Sequence, residues 1–186
     1  RYTLTKKGIL MKTKDLVSVA MMTTLLVALS YVPAIPLGFI PVPIVLQNLG
    51  VMLAGCLLGG KKGSLSVLLL FLVGLVIPAF SGFSTPIKVL IGPTAGYVWA
   101  WLFVPLLISW GVTHLPKGGA LARFIVIWLA GVFLVDLLGG LYLAFYTGMP
   151  LFTAVVSSSL AFIPGDTIKV LVATLVSLRF HKISEK

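Results

Sequence analysis

The sequence predicts an all-α membrane protein, a bundle of six transmembrane helices, and three observations carry that expectation. Of 186 residues, 59% are hydrophobic and only 10% are charged, and the mean hydropathy of +1.15 lies far above that of chains that fold in water. The apolar residues are gathered into segments, and a helix rising about 1.5 Å per residue crosses a hydrocarbon core of roughly 30 Å in about 20 residues. The 14 Lys and Arg residues, set against 4 Asp and Glu, fall in the short connections between these segments. There they read as topology signals and not as a nucleic-acid face, which would gather basic residues on one surface with stacking aromatics.

Taken in order, Arg1–Leu10 differs in character from the rest of the chain and reads as an expression-tag remnant ahead of a start at Met11, leaving residues 11–186 as a single membrane domain. The first apolar run, Leu16–Ile35, has the length of a spanning helix and no small-residue cleavage site, so it is not a cleavable signal. Proline, glycine and charge then punctuate the chain into helices expected at Leu16–Tyr31, Ile44–Leu58, Ser64–Ile77, Thr94–Gly111, Leu121–Tyr146 and Ala154–Phe180. The second and third are short for a crossing, so their flanking loops are expected to dip into the membrane where protein or water shields the backbone. No repeat of 20 to 50 residues and no inverted duplication is visible.

Direction follows from the cations. Lys12 and Lys14 precede the first helix, Lys61 and Lys62 join the second to the third, Lys117 and Arg123 join the fourth to the fifth, and Arg179, Lys182 and Lys186 close the chain. The alternate connections, 32–43, 78–93 and 147–153, contain only Lys88. Basic residues mark the cytoplasmic side, so both termini are expected there, which agrees with an even number of crossings.

An ionisable side chain inside hydrocarbon costs a few kcal/mol or more and needs a partner or a task. Three stand inside the expected spans: Asp136, Asp166 and Lys169. Asp136 lies about 22 Å beyond Leu121 along a helix, in its outer half. Pro164-Gly165 is expected to break the last helix just before Asp166, leaving N–H groups free there, and Asp166 and Lys169 share a face at i, i+3. Gln47 and Asn48 come from the outer end of the second helix, Gly92 with Thr94 and Tyr97 from that of the fourth, and Tyr142 with Tyr146 from that of the fifth, so polar groups of four helices converge at one depth. The loop Phe80-Ser81-Gly82-Phe83-Ser84 adds glycine for close approach and aromatic rings for an apolar ligand. The substrate-binding set is therefore Asp166, Lys169, Gln47, Asn48, Gly92, Thr94, Tyr97, Phe83, Gly82, Tyr142 and Asp136. Plainer readings compete: an ion pair that only fixes packing, and tyrosines that form an interfacial belt. The first is weaker because intramembrane charges are functional by default, whereas the second is the commoner role for such tyrosines.

Other motifs fail on context. Gly55–Lys61 has the letters GxxxxGK, but Lys62 follows where Ser or Thr is needed and an apolar helix precedes where a strand is needed. His114 has no second ligand at metal spacing, His181 lies in a basic tail, and Cys56 is alone, so neither a metal site, a disulfide nor a Ser/His/Asp set can be assembled. Ala20, Thr24 and Ala28 form a small-residue stripe on the first helix that suits close docking of a partner or of a neighbouring helix.

Three motifs in order, Ile35-Pro36-Leu37-Gly38-Phe39-Ile40-Pro41-Val42-Pro43 with Leu46-Gln47-Asn48, then Ile91-Gly92-Pro93-Thr94-Ala95-Gly96-Tyr97, then Ile163-Pro164-Gly165-Asp166-Thr167-Ile168-Lys169, resemble the BioY family, the biotin-specific substrate-binding components (S-components) of energy-coupling-factor (ECF) transporters. The likeness runs from Met11 to the C-terminus. It implies a six-helix protein in a bacterial cytoplasmic membrane that captures biotin from outside, carries no cofactor, catalyses nothing itself, and works with a transmembrane coupling subunit and two ATPase subunits. It also implies that the Ala20–Thr24–Ala28 stripe is the docking face, although Thr24 departs from an all-alanine pattern, and the family's glycine pair before the tyrosine stands here as Ala95-Gly96. On that likeness Asp166 accepts from the ureido N–H groups of biotin and Lys169 donates to its carbonyl or its carboxylate, supplemented by Gln47, Asn48 and Thr94. Two other classes fit the residues without it: a stand-alone ion-coupled transporter or channel relaying through Asp136 and Asp166, and an intramembrane enzyme using them as acid and base.

Overall fold

The computed structural model describes residues 12–84, 86–114 and 119–184, so the extension expected at Arg1–Leu10 lies outside the described residues. The described chain is helical, with no strands and two isolated antiparallel bridges. Nine α-helices follow one another among the described residues: α1 (Thr13–Ser30), α2 (Gln47–Leu58), α3 (Gly60–Gly74), α4 (Pro86–Leu90), α5 (Ala95–Ala100), α6 (Val104–His114), α7 (Ala120–Trp128), α8 (Leu134–Thr147) and α9 (Leu151–Ser184). Four stretches are long and apolar enough to cross a membrane: Thr13–Ser30, Ala95–His114, Ala120–Thr147 and Leu151–Phe180. The 12 residues of α2 and 15 of α3 reach only about 18 and 22 Å at helical rise, so neither is a full span by length.

The departures from the expected elements have local causes. The Ala95–His114 stretch is split into α5 and α6 because Pro105, lacking an N–H, sits in the first turn of α6, where the missing donor does no harm. Between α7 and α8 the chain stays helical but widens into a π-helical turn at Leu129–Phe133. Pro164 does not break the last helix, contrary to expectation: α9 runs through it as one helix of 34 residues. Asp166 therefore meets no free helix N-terminus. One ladder bond is lost at the proline, which long membrane helices tolerate when the rest of the ladder is intact. The connection between α3 and α5, expected as loop, contains a 3-10 turn at Ser81–Phe83 and the short α4.

Helix α2 lies at the centre, packed on α1, α3, α6 and α9, while α8 packs between α5 and α9. Where lipid tails are as apolar as leucine, helices associate through close packing at small residues. A Cβ on Gly63 would come within 2.6 Å of Pro105 and 2.9 Å of the Ala54 carbonyl, and one on Gly55 within 2.9 Å of the Pro105 backbone. Two glycines thus let α2, α3 and α6 meet backbone to backbone, and Gly55, the first glycine of the GxxxxGK letters, is a packing residue. Polar ties are few. Asp15 of α1 pairs with Lys62 of α3 at 2.5 Å. Arg123, expected in a connection, is buried in the first turn of α7 and donates to the Ser177 hydroxyl of α9 at 3.3 Å. The outer surface is apolar, with Met21, Leu75, Leu121, Phe145, Phe152 and Leu160 all exposed. Ala20, Thr24 and Ala28 also remain uncovered on α1.

Overpacking at the α3–α6 contact provides a check on this arrangement. Gly63→Val is expected to destabilise by about 1–3 kcal/mol, read as a lower melting temperature and loss of a monodisperse peak in detergent. Gly165→Ala, whose added Cβ meets nothing within 4 Å, is expected to leave both unchanged; equal behaviour of the two variants would contradict the packing.

Candidate functional site

The site begins with a loop. Ile35 and Ile44 exchange backbone hydrogen bonds of 2.9 Å in both directions, closing residues 36–43 into a proline-rich hairpin. The chain beyond it turns inward, so that α2 starts only at Gln47, not at Ile44 as expected. Val45, just before the helix, keeps a carbonyl without a ladder partner.

That carbonyl accepts from Lys169 Nζ at 2.6 Å, and the same ammonium donates to Asp166 Oδ1 at 2.6 Å. The other carboxylate oxygen of Asp166, Oδ2, accepts from Asn48 Nδ2 at 2.9 Å. One chain of polar contacts thus runs from the loop through α9 to α2, with Asn48, Asp166 and Lys169 all buried. Asp166 lies 15 residues beyond Leu151, about 22 Å along α9, so the pair sits deep in the bundle and α2 begins at that depth because the preceding loop folds in.

Above this pair lies a cavity of about 180 Å³. Gln47, Asn48, Thr94, Tyr97, Asp136, Asp166 and Lys169 all line it, brought together from α2, α5, α8 and α9 and the turn before α5. Apolar walls come from Pro41, Val42, Phe80, Val98, Val135 and Phe162. The rings are fixed in turn: Tyr97 packs edge-on to Phe162 at 5.5 Å and 84°, and its ring lies against Gly139, where any side chain would collide with it.

Four buried side-chain polar atoms have no hydrogen-bond partner among the described residues: Asn48 Oδ1, Tyr97 OH, Trp101 Nε1 and Asp136 Oδ2. All four belong to residues that line this cavity. Buried polar groups in proteins are otherwise almost always paired, so a cluster of orphans around one space is the signature of groups held ready for a ligand or its water.

Gln47 has a second duty. It is fully buried and donates from Nε2 to the carbonyls of Leu26 at 3.1 Å and Ala79 at 2.9 Å, tying α1 and the connection after α3 to the cavity floor. Only its carbonyl oxygen is left, reached by Ser81 Oγ at 3.5 Å. The remaining expected residues stand outside the lining. Tyr142 donates its hydroxyl to the Ile91 carbonyl at 2.8 Å and stacks on Tyr146, so it braces the Gly92–Pro93–Thr94 turn from behind. Gly92 is buried beneath α4, donating to the Lys88 carbonyl at 3.1 Å. Gly82 is exposed at a positive φ of 74°, and the Phe83 side chain lies outside the described residues.

Sequence reasoning missed Trp101 and Phe162, and assigned Lys88 to topology alone. A helical register was the available signal: Tyr97 and Trp101 are i, i+4 partners, and Phe162, Asp166 and Lys169 fall on one stripe at i, i+4 and i+7. The exposed Lys88, on α4, lines the cavity as its second cation.

With the geometry in view, comparison with known proteins is specific. The BioY family model matches residues 4–186. The "Biotin transporter BioY" of Lactococcus lactis subsp. cremoris is 41% identical over 177 residues, covering 92% of each chain. That of Rhizobium etli is 38% identical, covering 89% of this chain and 92% of the relative. Among solved structures, the crystal structure of the S-component for biotin from an ECF-type ABC transporter superposes with a TM-score of 0.86 at 38% identity, over 93% of this chain and 95% of that one. On the match of its whole described length and of its relatives at this identity, the chain belongs to the BioY family.

Proposed function

We propose that this protein captures biotin from the outer side of the membrane as the substrate-binding component of an ECF-type importer. The observation that carries the reading is the match between the orphaned cavity atoms and the ligand. The ureido ring of biotin offers two N–H donors and one carbonyl acceptor. The cavity offers Asn48 Oδ1 and Asp136 Oδ2 as acceptors, Trp101 Nε1 as a donor and the Tyr97 hydroxyl as either. Asp166 and Lys169 stand beside them with their mutual bond already made, so they present a fixed dipole instead of two loose charges. The apolar walls suit the fused rings and the aliphatic chain.

In this reading six segments cross or enter the membrane, with α2 and α3 as the two short ones, and both termini are cytoplasmic, supported by the placement of Lys and Arg. The transmembrane coupling subunit docks on the uncovered Ala20–Thr24–Ala28 face of α1, and two ATPase subunits supply the energy. None of the chain's own residues is asked to do chemistry.

Equilibrium binding by the purified protein tests the site. Asp166→Asn leaves the Lys169 ammonium buried without its counter-charge, and Lys169→Ala does the converse; each is expected to weaken biotin binding by about 10- to 100-fold, the worth of a charge-assisted contact. Unchanged affinity in both would remove the site. Proteoliposomes holding this chain alone are expected to bind biotin at stoichiometric levels without accumulating it, and to accumulate it with ATP once the partner subunits are added. Accumulation by the chain alone, driven by an ion gradient, would favour a self-sufficient transporter.

A further inference from the structure

We propose that the N-terminal end of α7, on the side that the placement of Lys and Arg marks as cytoplasmic, holds the phosphodiester of an anionic membrane lipid, with Arg123 as its cation. The site lies well away from the cavity. Ser177, which Arg123 contacts, stands eight residues beyond Lys169, about 12 Å further along α9.

The charge of Arg123 is not balanced. Its residue is only 8% exposed, and a guanidinium taken out of water needs a counter-charge or a full set of acceptors. Neither is present among the described residues. Nη1 donates to the Ser177 hydroxyl at 3.3 Å and to the Ser177 carbonyl at 3.5 Å, and Nε and Nη2 have no partner there. Of the described carboxylates, Asp15 is bonded to Lys62, Asp166 is bonded to Lys169, and Asp136 lines the cavity. The two unpaired nitrogens are not sealed in, since neither is among the fully buried atoms that lack a partner. An anion can therefore reach them from the surface.

The start of α7 supplies further donors. No side chain caps the helix at Gly119, and its ladder begins with the bond from the Arg123 N–H to the Gly119 carbonyl. The N–H groups of Ala120, Leu121 and Ala122 are thus left without an acceptor in the helix. A Cβ on Gly119 would meet nothing within 4 Å, so the space in front of those groups is open. Helical side chains tilt toward the N-terminus of their own helix, which carries the Arg123 guanidinium toward the same opening. Free N–H groups and an arginine fork at one opening are the donors that a phosphate takes up.

Depth identifies the phosphate as that of a lipid. Arg123 stands about 6 Å inside Gly119 along the helix, and Leu121, Ile125 and Leu129 of the same chain segment face outward, exposed. On α9 the outward stripe of Ile168, Leu171 and Leu175 ends in the exposed Arg179, one turn further on. Both helices pass from apolar to cationic at this level, where hydrocarbon gives way to headgroups. A lipid there lays a chain along the apolar ridge of α7 and its phosphate at Arg123. The surrounding charge favours an anionic headgroup, because Asp15, the one described carboxylate on this end, is already paired.

The test places the purified protein in vesicles of phosphatidylcholine alone or mixed with phosphatidylglycerol. Melting temperature, and the lipid retained on extraction as read by native mass spectrometry, are compared for wild type, Arg123→Gln, Gly119→Asp and Arg179→Gln. Wild type is expected to melt higher with phosphatidylglycerol and to retain it about tenfold over phosphatidylcholine; Arg123→Gln is expected to lose both effects, and Arg179→Gln to keep them. Gly119→Asp keeps Arg123 and gives the helix N-terminus a carboxylate of its own. It is expected to melt higher in phosphatidylcholine alone and to respond no further to phosphatidylglycerol, a response that carries the test should Arg123→Gln fail to fold. A lipid preference that survives Arg123→Gln or Gly119→Asp would overturn the site, as would one lost equally in Arg179→Gln, which would mark general surface charge. Inorganic phosphate reproducing the full stabilisation would overturn the lipid as occupant, and so would stabilisation of wild type by the coupling subunit and by neither lipid.

Discussion

The structure depends on one buried ion pair and the two contacts that complete it. Taking a carboxylate and an ammonium out of water costs several kcal/mol for each ion, and their attraction offsets this only when geometry is good and the remaining hydrogen-bonding capacity is filled. Lys169 and Asp166 meet at 2.6 Å, and the Val45 carbonyl and the Asn48 amide take up a further proton and a further lone pair. Because those two supports come from a loop and from the first turn of α2, the pair dictates where α2 begins and how far the preceding loop folds into the bundle. The shortness of α2, which looks like a defect by length, is the consequence.

Around that pair the bundle arranges its close contacts so that the cavity survives. Gly139 takes the ring of Tyr97 and Gly96 the base of the Tyr142 side chain against bare backbone, one ring forming the cavity wall and the other bracing it. Gln47 spends both amide protons on the backbone of α1 and of the connection after α3, which joins the cavity floor to the helix whose small-residue face is uncovered.

Much of this was legible in the sequence because bilayer physics is strict. Apolar segment lengths, the one-sided placement of cations and the rarity of intramembrane charge led to Asp136, Asp166 and Lys169 and to the polar ends of two more helices, and seven of the eleven expected site residues line the cavity. What could not be read was set by three-dimensional compensation. Pro164 looked like a helix end, yet one lost hydrogen bond is not enough to stop a long helix. The π-helical turn at Leu129–Phe133 leaves no mark in the pattern. Tyr142 and Gly92 were grouped with the site by depth, but depth alone does not say which way a residue faces. Trp101 was passed over because a tryptophan in an apolar run looks like lipid-facing bulk, and only its unpartnered indole nitrogen reveals otherwise.

Central to the proposed reading is that the orphaned polar atoms around the Asp166–Lys169 pair are held for a ligand. A structure of the protein determined with biotin bound tests this most directly. The expected result is density for the ureido ring within hydrogen-bonding distance of Asn48 and Trp101, with the Lys169–Asp166 contact intact. Biotin seated elsewhere on the bundle, or a cavity closed by collapse of its own side chains while biotin is bound, would contradict it.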